Sequence, residues 1–369
     1  HLRALTSALK AKGMPWPENE SIMTGGEDWP DAYRYTPMRP EESRACVVVW
    51  WHPVRGIPVF QLYNSLLFGL PNAVTSFNRW SKFAQALVRR LLMMLFSMYF
   101  DDATMQNWES EAFHSQACVA DLMHMLGSPW ATEKSQVSAP IGDFLGLMHD
   151  VSRANEGILL FWPRESLVIK VLSIIRIARE TGLHAGTASK LYGVANFIET
   201  GMYSRIGRAG LWSIKDRQKE QTWGITPAIA LSFDLLCDLF KLKPQREYLL
   251  WHGLLRRAVT ASDAAYEGGK GSAGFLSVID PGKPEETRLG KVITLPVSLY
   301  SLWGAKETYI AQLELLAVLV ALIEVAGLVR GANTIWFIDN IAALMALVRG
   351  SSNSRSLDQM AKLVHLACF

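Results

Sequence analysis

The spacing of apolar residues divides the first part of the chain into short strands and longer helices. Residues 45–63 alternate or run apolar around a Pro-Val-Arg-Gly turn, which predicts a hairpin. An apolar run over residues 91–100 ends in two adjacent carboxylates, Asp101 and Asp102. This run predicts a buried strand that presents both acids at its exposed end. Amphipathic helices are predicted over residues 76–90 and 109–126.

The last part of the chain repeats the combination of an apolar strand and an acid. Residues 258–263 predict a short strand that ends in Asp263, and a glycine-rich loop and a second apolar run follow, as in a hairpin. Residues 334–338 predict a buried strand that ends in Asp339. Between them, a long apolar helix is predicted with Glu314 in its first turn. The helix macrodipole alone explains one such Glu, but three acids from separated elements are expected to converge on one pair of metal ions.

The composition is that of a folded protein with a reduced interior. Half of the 369 residues are hydrophobic and the mean hydropathy is +0.12, so the chain has enough apolar residues for a core and is not disordered. The length predicts two to three domains. A net charge of +3 permits a nucleic-acid partner without arguing for one. Four scattered cysteines predict free thiols, and exclude a zinc site or a disulfide framework.

The middle of the chain, residues 151–255, changes to a helical and basic pattern. Its clustered cations and tryptophans either contact a nucleic-acid backbone, which is sequence-blind and salt-sensitive, or form a solvated helix face. The residues are Arg205, Arg208, Lys215, Arg217, Lys219, Trp212 and Trp223.

The two ends and the longest apolar run bear on localisation. No signal peptide is visible at the start, and the chain stops within an apolar helical pattern, so we expect a fragment of a longer protein. The longest apolar run, residues 313–329, contains Glu314 and Glu324. This run predicts a buried helix rather than a membrane span.

The adjacent acids Asp101 and Asp102 are costly unless a cation lies between them. Two like charges about 4 Å apart repel by roughly 4 kcal/mol at an effective dielectric constant near 20. A divalent cation offsets that repulsion, and hard carboxylate oxygens suit Mg²⁺ or Mn²⁺. A lone pair of acids is more often a solvated turn between strands, so the neighbouring motifs decide between the two interpretations.

The tetrad at residues 99–102, Tyr-Phe-Asp-Asp, resembles the Tyr-x-Asp-Asp box of reverse transcriptases. Upstream, Asp28 stands five residues before Tyr33, which matches the family's first palm motif. The separation of Asp28 from Asp101 is 101 − 28 = 73 residues, about what the family uses. The resemblance implies that Asp28, Asp101 and Asp102 are catalytic ligands of Mg²⁺ or Mn²⁺. It also implies that Tyr33 lies under the incoming sugar and rejects a 2′-hydroxyl.

Further motifs agree with this resemblance. Residues 66–79 look like the second palm motif, a Phe-Gly-Leu loop that leads into a helix, which implies that Phe68 and Gly69 contact the nucleotide. Val74 stands where most members have Pro, as in retroelements of the tyrosine-recombinase (DIRS) type. The strand after the acid pair departs from the family because it is more polar than usual. Lys134 resembles a later lysine of the family, although a surface role explains it equally well. Phe144, Leu145 and Gly146 resemble the turn that grips the primer end.

The set Asp263, Glu314 and Asp339 resembles the acids of the ribonuclease H fold. The resemblance implies that these residues are catalytic metal ligands, which position activated water against the RNA strand of an RNA–DNA hybrid. That fold normally has a fourth acid some tens of residues after the third. The chain ends 369 − 339 = 30 residues after Asp339, and Asp358 comes too early. We therefore expect the fourth acid to be absent from this chain and its hydrolytic activity to be compromised.

The motifs together predict an α+β chain with three parts. These are a reverse-transcriptase palm with partial fingers over residues 1–150, a helical thumb and connection over 151–255, and a C-terminally truncated α/β ribonuclease H-like domain over 256–369. The predicted function is that of an RNA-directed DNA polymerase, a nucleotidyltransferase of the DNA/RNA polymerase superfamily, from a DIRS-type retrotransposon. Because much of the fingers is expected upstream of the chain, we expect weak polymerisation.

The predicted partners follow from that function. They are an RNA template, a DNA primer, RNA–DNA hybrids, dNTPs and other parts of the retroelement polyprotein, in the cytoplasm or nucleus and without a membrane. A degenerate or domesticated copy that binds nucleic acid without catalysis is an open alternative. An unrelated helical scaffold whose acids are all surface residues is another.

Overall fold

The chain folds as a mixture of helices and strands, which confirms the predicted class at that level. The computed structural model describes residues 2–67, 69–70, 72–202, 208, 211–243, 245–250, 256–304, 308–350, 352 and 354–368. Two compact units are present, one formed by His1–Phe161 with Glu247–Trp251 and the other by Trp162–Arg246 with His252–Phe369. The three predicted domain ranges stay predictions.

The described residues of the first unit form three sheets. Its helices are α1 (Leu2–Ala11), α2 (Pro40–Ser43), α3 (Ala73–Leu91) and α4 (Glu109–Met125). Its strands, with those that reach its boundary, are β1 (Ile22–Asp28), β2 (Val47–His52), β3 (Ile57–Leu62), β4 (Leu95–Tyr99), β5 (Asp102–Trp108), β6 (Gln136–Ala139), β7 (Ile141–Phe144), β8 (Leu147–Asp150), β9 (Ile158–Pro163) and β10 (Arg246–Leu249). The sheet orders are β4-β5-β1-β6, β10-β9-β8-β7 and the hairpin β2-β3.

Helices α3 and α4 cover one face of the antiparallel sheet β4-β5-β1-β6. In α3 the buried positions recur at helical spacing, from Phe77 to Val88, so a single stripe faces the sheet. Phe96 of β4 and Met105 of β5 lie opposite each other on that face and belong to the same apolar core. The predicted helices 76–90 and 109–126 and the predicted hairpin 45–63 are therefore confirmed, with small shifts at their ends.

Strand β5, which the sequence marks as unusually polar, is a central strand that pairs with both β4 and β1. Ala103 and Met105 face the helices, and Thr104 and Gln106 face the other side of the sheet. There Gln106 donates from Nε2 to the hydroxyls of Thr24 (3.3 Å) and Thr104 (3.0 Å). The Thr24 hydroxyl is also 2.8 Å from Nε2 of the buried His149. The polar residues are thus hydrogen-bonded to each other, as buried polar groups must be.

In its described residues, the second unit begins with four helices and continues as an α/β part. The helices are α5 (Glu165–Thr181), α6 (Ala185–Met202), α7 (Trp212–Arg217) and α8 (Pro227–Lys241), and they share one apolar core. The remaining elements are β11 (Arg257–Glu267), β12 (Lys270–Ile279), β13 (Thr287–Leu295), α9 (Ile310–Val329), β14 (Asn333–Ile338), α10 (Ile341–Arg349) and α11 (Arg355–Ala367).

The α/β part has the sheet order β13-β12-β11-β14. Strands β11, β12 and β13 form an antiparallel meander, and β14 returns parallel to β11 after the long helix α9. The β11–β12 turn has only two residues, Gly268 (φ +55°) and Gly269 (φ +77°). Two positive φ angles in a two-residue turn match the twist of a hairpin, and glycine adopts them at no steric cost.

Helix α9 packs against β11, β12 and α11. Leu313, Ala317 and Ala321 are buried there, as expected for the core helix that the sequence predicts. Within the described part of the chain it is also the one helix long and apolar enough to cross a membrane.

Three local predictions are wrong. The strand predicted to end at Asp263 continues to Glu267, because residues 264–267 pair with β12 through the glycine turn. Helix α9 begins at Ile310, which places Glu314 beyond the first turn. Strand β14 is not buried but lies at the sheet edge, so alternate side chains such as Phe337 (59 % exposed) face outward.

Candidate metal centres

The first acidic cluster lies at one end of the sheet β4-β5-β1-β6. Asp28 ends β1 and Asp102 begins β5, and the two residues are direct partners in the antiparallel register. Asp101 occupies the two-residue turn between β4 and β5, and its carbonyl oxygen accepts a hydrogen bond from the Trp29 N–H (3.1 Å). The structure therefore brings the three predicted ligands Asp28, Asp101 and Asp102 together, although 73 residues separate the first two.

The turn that carries Asp101 is strained. Phe100, its first residue, has φ +55°, a left-handed conformation that is uncommon for a bulky side chain. Such strain persists only where the surroundings fix it, and here the Ser81 hydroxyl donates to the Phe100 carbonyl at 2.6 Å. The backbone of the acidic turn is thus fixed by helix α3 on one side and by Trp29 on the other.

The charges of the first cluster interact unfavourably with one another. The pKa of Asp102 is raised, chiefly because burial disfavours its charged form and also because Asp101 and Asp28 carry like charges nearby. A cation in this cluster would relieve the repulsion. Among the described residues, the one cation that reaches it is the ammonium group of Lys134, which lies 2.7 Å from Asp28 Oδ2.

The ion pair with Asp28 raises the pKa of Lys134. The Lys134 side chain is 57 % exposed, so this bond is of the weak surface kind and a divalent cation can displace it. The structure thus places Lys134 at the predicted metal site rather than on an unrelated surface.

A buried network beneath the cluster was not predicted from the sequence. Glu27, 6 % exposed, accepts hydrogen bonds at Oε1 from Gln116 Nε2 (2.7 Å) and from the Ser135 hydroxyl (3.0 Å). Gln116 of α4 also donates to the Gln136 carbonyl and accepts at Oε1 from the Ser138 N–H, both at 2.9 Å. Burial raises the pKa of Glu27. These bonds fix residues 135–138 to β1 and so hold the neighbouring Lys134 beside Asp28.

The nucleotide-binding residues predicted from the family resemblance fall into three groups. Tyr33 is buried, its ring stacks on Phe77 at 4.8 Å between centroids, and burial together with the Asp101 charge raises the pKa of its hydroxyl. Gly69 has φ +93°, which suits a glycine loop. Phe68 lies outside the described residues.

The predicted primer-grip residues form a tight turn. Phe144 ends β7 and pairs with Leu147 of β8, and the two residues between them, Leu145 and Gly146, both have positive φ. The hairpin lines a cavity of about 350 Å³ on the side of the sheet β4-β5-β1-β6 that Thr104 faces. Thr104 is two residues after Asp102 in β5, and residues two apart in a strand face the same side of the sheet. The turn therefore lies on the same face of the sheet as Asp102.

The second acidic cluster is the tighter of the two. Ligand atoms of Asp263, Glu314 and Asp339 all lie within 4.8 Å of one another, and no other group of three acids, histidines or cysteines among the described residues does so. Asp263 comes from β11, Glu314 from α9, and Asp339 follows β14. Asn340 caps α10 by accepting from the Ala343 N–H at 3.0 Å, which fixes the backbone immediately after Asp339.

Glu314 is the buried member of this cluster. It is 2 % exposed, and its Oε1 accepts a hydrogen bond from the Ala264 N–H at 3.3 Å. Its Oε2 is buried and has no hydrogen-bond partner. Burial first, and then the charges of Asp339 and Asp263, raise the pKa of Glu314 to about 7. An unpartnered buried carboxylate oxygen beside two further carboxylates suits a divalent cation, so these residues fit Mg²⁺ or Mn²⁺.

The basic cluster of the helical region divides on burial. Arg217 is 1 % exposed and donates to the Thr222 and Gly224 carbonyls at 2.6 and 2.7 Å, so its predicted exposure to a nucleic-acid backbone is wrong. Arg208 is bound to Glu199 at 3.3 Å and to the Arg349 carbonyl. Lys215 and Lys219 are exposed, and Arg205 lies outside the described residues.

No protein-family model and no curated protein matches this chain.

Proposed function

We propose that this chain is an RNA-directed DNA polymerase joined to a ribonuclease H-like nuclease, of the DIRS retroelement type. The observation that carries the proposal is the grouping of six acids into two clusters of three, each on a different sheet. Each cluster draws its members from segments far apart in the chain. Surface acids placed without a common ligand have no reason to converge twice in this way, because each convergence costs electrostatic repulsion.

The topology around each cluster supports the same proposal. The first cluster belongs to an antiparallel sheet with two helices on one face and an acidic hairpin turn, the arrangement expected of a polymerase palm. The second belongs to three antiparallel strands, a helix and a parallel fourth strand, the arrangement expected of a ribonuclease H-like fold.

In the polymerase part, Asp28 and Asp101 would hold Mg²⁺ or Mn²⁺, with Asp102 supporting them from the base of the turn. The metal would supply activation of the primer 3′-hydroxyl and neutralisation of the triphosphate and leaving pyrophosphate. Lys134, held beside Asp28, keeps its proton and adds positive charge where the triphosphate arrives. Tyr33, fixed by its stack on Phe77, gives the incoming sugar a rigid surface.

In the nuclease part, Asp263, Glu314 and Asp339 would hold the metal that activates water for attack on the RNA strand. The open Oε2 of Glu314 gives that metal a ligand with no competing hydrogen bond. An RNA–DNA hybrid would be recognised by its groove shape and its 2′-hydroxyls.

The test is primer extension on an RNA template with Mg²⁺ or Mn²⁺, together with cleavage of an RNA–DNA hybrid. We expect Asp101→Asn to abolish extension, while Asp31→Asn, whose side chain is 59 % exposed and lies outside the cluster, retains it. Glu314→Gln should abolish hybrid cleavage, while Glu324→Gln on the same helix, an exposed partner of Lys291, should not. Extension that persists in Asp101→Asn would refute the polymerase assignment.

Binding of nucleic acid without catalysis is a second candidate, and one observation favours it. Lys134 already neutralises part of the first cluster, which is looser than the second. Titration with Mn²⁺ separates the candidates, because a binding module needs no metal. The catalytic proposal expects two classes of site, one lost in Asp101→Asn and the other in Glu314→Gln.

A further inference from the structure

The hairpin β2–β3 exposes apolar side chains on both faces. In the described part of the chain it pairs with no other strand. One face presents six residues, all exposed, with Trp51 at 64 % and Phe60 at 67 %. An isolated two-stranded hairpin is marginal in water, and an apolar patch of this kind marks an interaction surface. The six residues of this face are Val47, Val49, Trp51, Pro58, Phe60 and Leu62.

The aromatic rings of the hairpin are arranged as neighbours. Trp51 pairs with Pro58 and Val49 pairs with Phe60, so Trp51 and Phe60 are diagonal neighbours on one face. On the other face the ring of Trp50, 43 % exposed, stacks on His52 at 5.3 Å between centroids with 23° between planes. Both faces therefore offer flat ring surfaces to solvent.

The hairpin and the segment that follows it carry cations and no acids, and the acids nearest in sequence are the exposed Glu41 and Glu42 of α2. From residue 43 to residue 100 the chain contains no Asp or Glu. Two of the cations in this stretch, Arg44 before β2 and Arg55 in the turn, are exposed at the two ends of the hairpin. A field of this sign attracts a polyanion and opposes a second copy of the same hairpin. The cations of the stretch are Arg44, Arg55, Arg79, Lys82, Arg89 and Arg90.

We propose that the hairpin β2–β3 binds a single strand of nucleic acid, with bases stacked on Trp51, Phe60 and Trp50 and phosphates near Arg44 and Arg55. Base stacking on exposed aromatic rings in a positive field is the usual mode of single-strand binding. A duplex keeps its base faces inside the stack and does not fit. The identification of this strand as unpaired RNA template rests on the proposed function, but the binding itself does not.

The experiment measures binding of fluorescently labelled oligouridylate to the full chain by anisotropy, in EDTA. We expect the double variant Trp51→Ala with Phe60→Ala to bind at least about tenfold more weakly, because each stacked base contributes substantially. Trp51→Phe, which keeps a ring, should retain most of the affinity. Arg55→Gln should reduce the salt dependence by about one phosphate contact. Phe113→Ala in α4, which removes a ring that is 70 % exposed elsewhere, is the matched control and should change nothing.

Equal affinity of the double variant and Phe113→Ala for oligouridylate would overturn the proposal. A double variant that changes only the oligomeric state, measured by sedimentation, would overturn it in favour of a protein partner. Full competition by a duplex of the same length would also overturn it. Asp101→Asn is measured in parallel, because it tests extension and not stacking. If Asp101→Asn loses extension but the double variant binds oligouridylate normally, only the hairpin proposal is rejected. If the double variant binds oligouridylate weakly but the wild type shows no extension, only the polymerase proposal is rejected.

Discussion

The buried Glu314 predicts an unusual pH dependence of stability in the absence of metal. Its pKa in the folded chain is about 7, against 4.5 for the free side chain. Between these values the folded state binds the proton more tightly than the unfolded state does. The contribution of this group to stability is therefore fully present below pH 4.5 and is lost as the pH rises through the folded pKa, near 7. This direction is opposite to that of an ordinary ion-paired carboxylate.

The magnitude follows from the size of the shift. A shift from 4.5 to about 7 corresponds to about 3 kcal/mol, an upper value, at roughly 1.4 kcal/mol per unit. Glu314→Gln has the shape of the protonated side chain and cannot ionise. We therefore expect the variant to match the wild type at low pH and to exceed its stability above neutral pH by up to about 3 kcal/mol.

The assay is urea unfolding in EDTA across this pH range, followed by a probe in the second unit. Glu324→Gln, on the exposed side of the same helix, is the matched control and should follow the wild-type curve. Saturating Mn²⁺ at neutral pH should stabilise the wild type and not Glu314→Gln, because a cation that binds only the folded state adds to its stability. Parallel curves for wild type and Glu314→Gln across the whole range would refute the reasoning.

Two further predictions concern stability. Gln116→Ala leaves the buried carboxylate of Glu27 with fewer hydrogen-bond donors, so we expect the free energy of unfolding, measured in urea, to fall by about 3 kcal/mol. A decrease below roughly 0.5 kcal/mol would contradict the role of the Glu27 network. Gly182→Ala should destabilise the fold by more than about 2 kcal/mol, because φ is +85° and a Cβ would lie 2.4 Å from the Trp223 carbonyl oxygen. Gly193→Ala should instead stabilise it by about 0.5–1 kcal/mol, because this glycine is exposed within α6 and nothing lies near its Cβ. Thermal unfolding of the two variants gives the comparison, and equal effects would refute the prediction.

The elements that could be predicted from the sequence are those with a strong period. Helix α3 repeats its buried positions at helical spacing over 19 residues, and the hairpin β2–β3 has a turn sequence between two apolar runs. The short strands β6 to β10 have four to six residues each and carry little periodic signal. Their pairing depends on contacts far apart in the chain, which a local pattern does not contain.

The acids themselves could be predicted because a strand followed by a carboxylate is visible in the sequence. Which charged side chains are buried could not be predicted in the same way. Arg217 and Glu27 resemble ordinary surface residues in sequence, yet Arg217 is enclosed by the loop that follows it and Glu27 by side chains from distant segments. A Glu directly before a predicted ligand, in an otherwise uncharged strand, was the only signal for the Glu27 network.

The adjacent residues Asp339 and Asn340, between β14 and α10, have two different roles. The acid faces the other two carboxylates, while the amide next to it starts a helix. Aspartate would start that helix equally well by local rules, but it would set a fourth negative charge against a Glu314 that is already reluctant to ionise. The charge of the acidic cluster therefore favours an uncharged N-cap residue for α10. Position 340, which would otherwise serve only to begin a helix, also limits the negative charge beside Glu314.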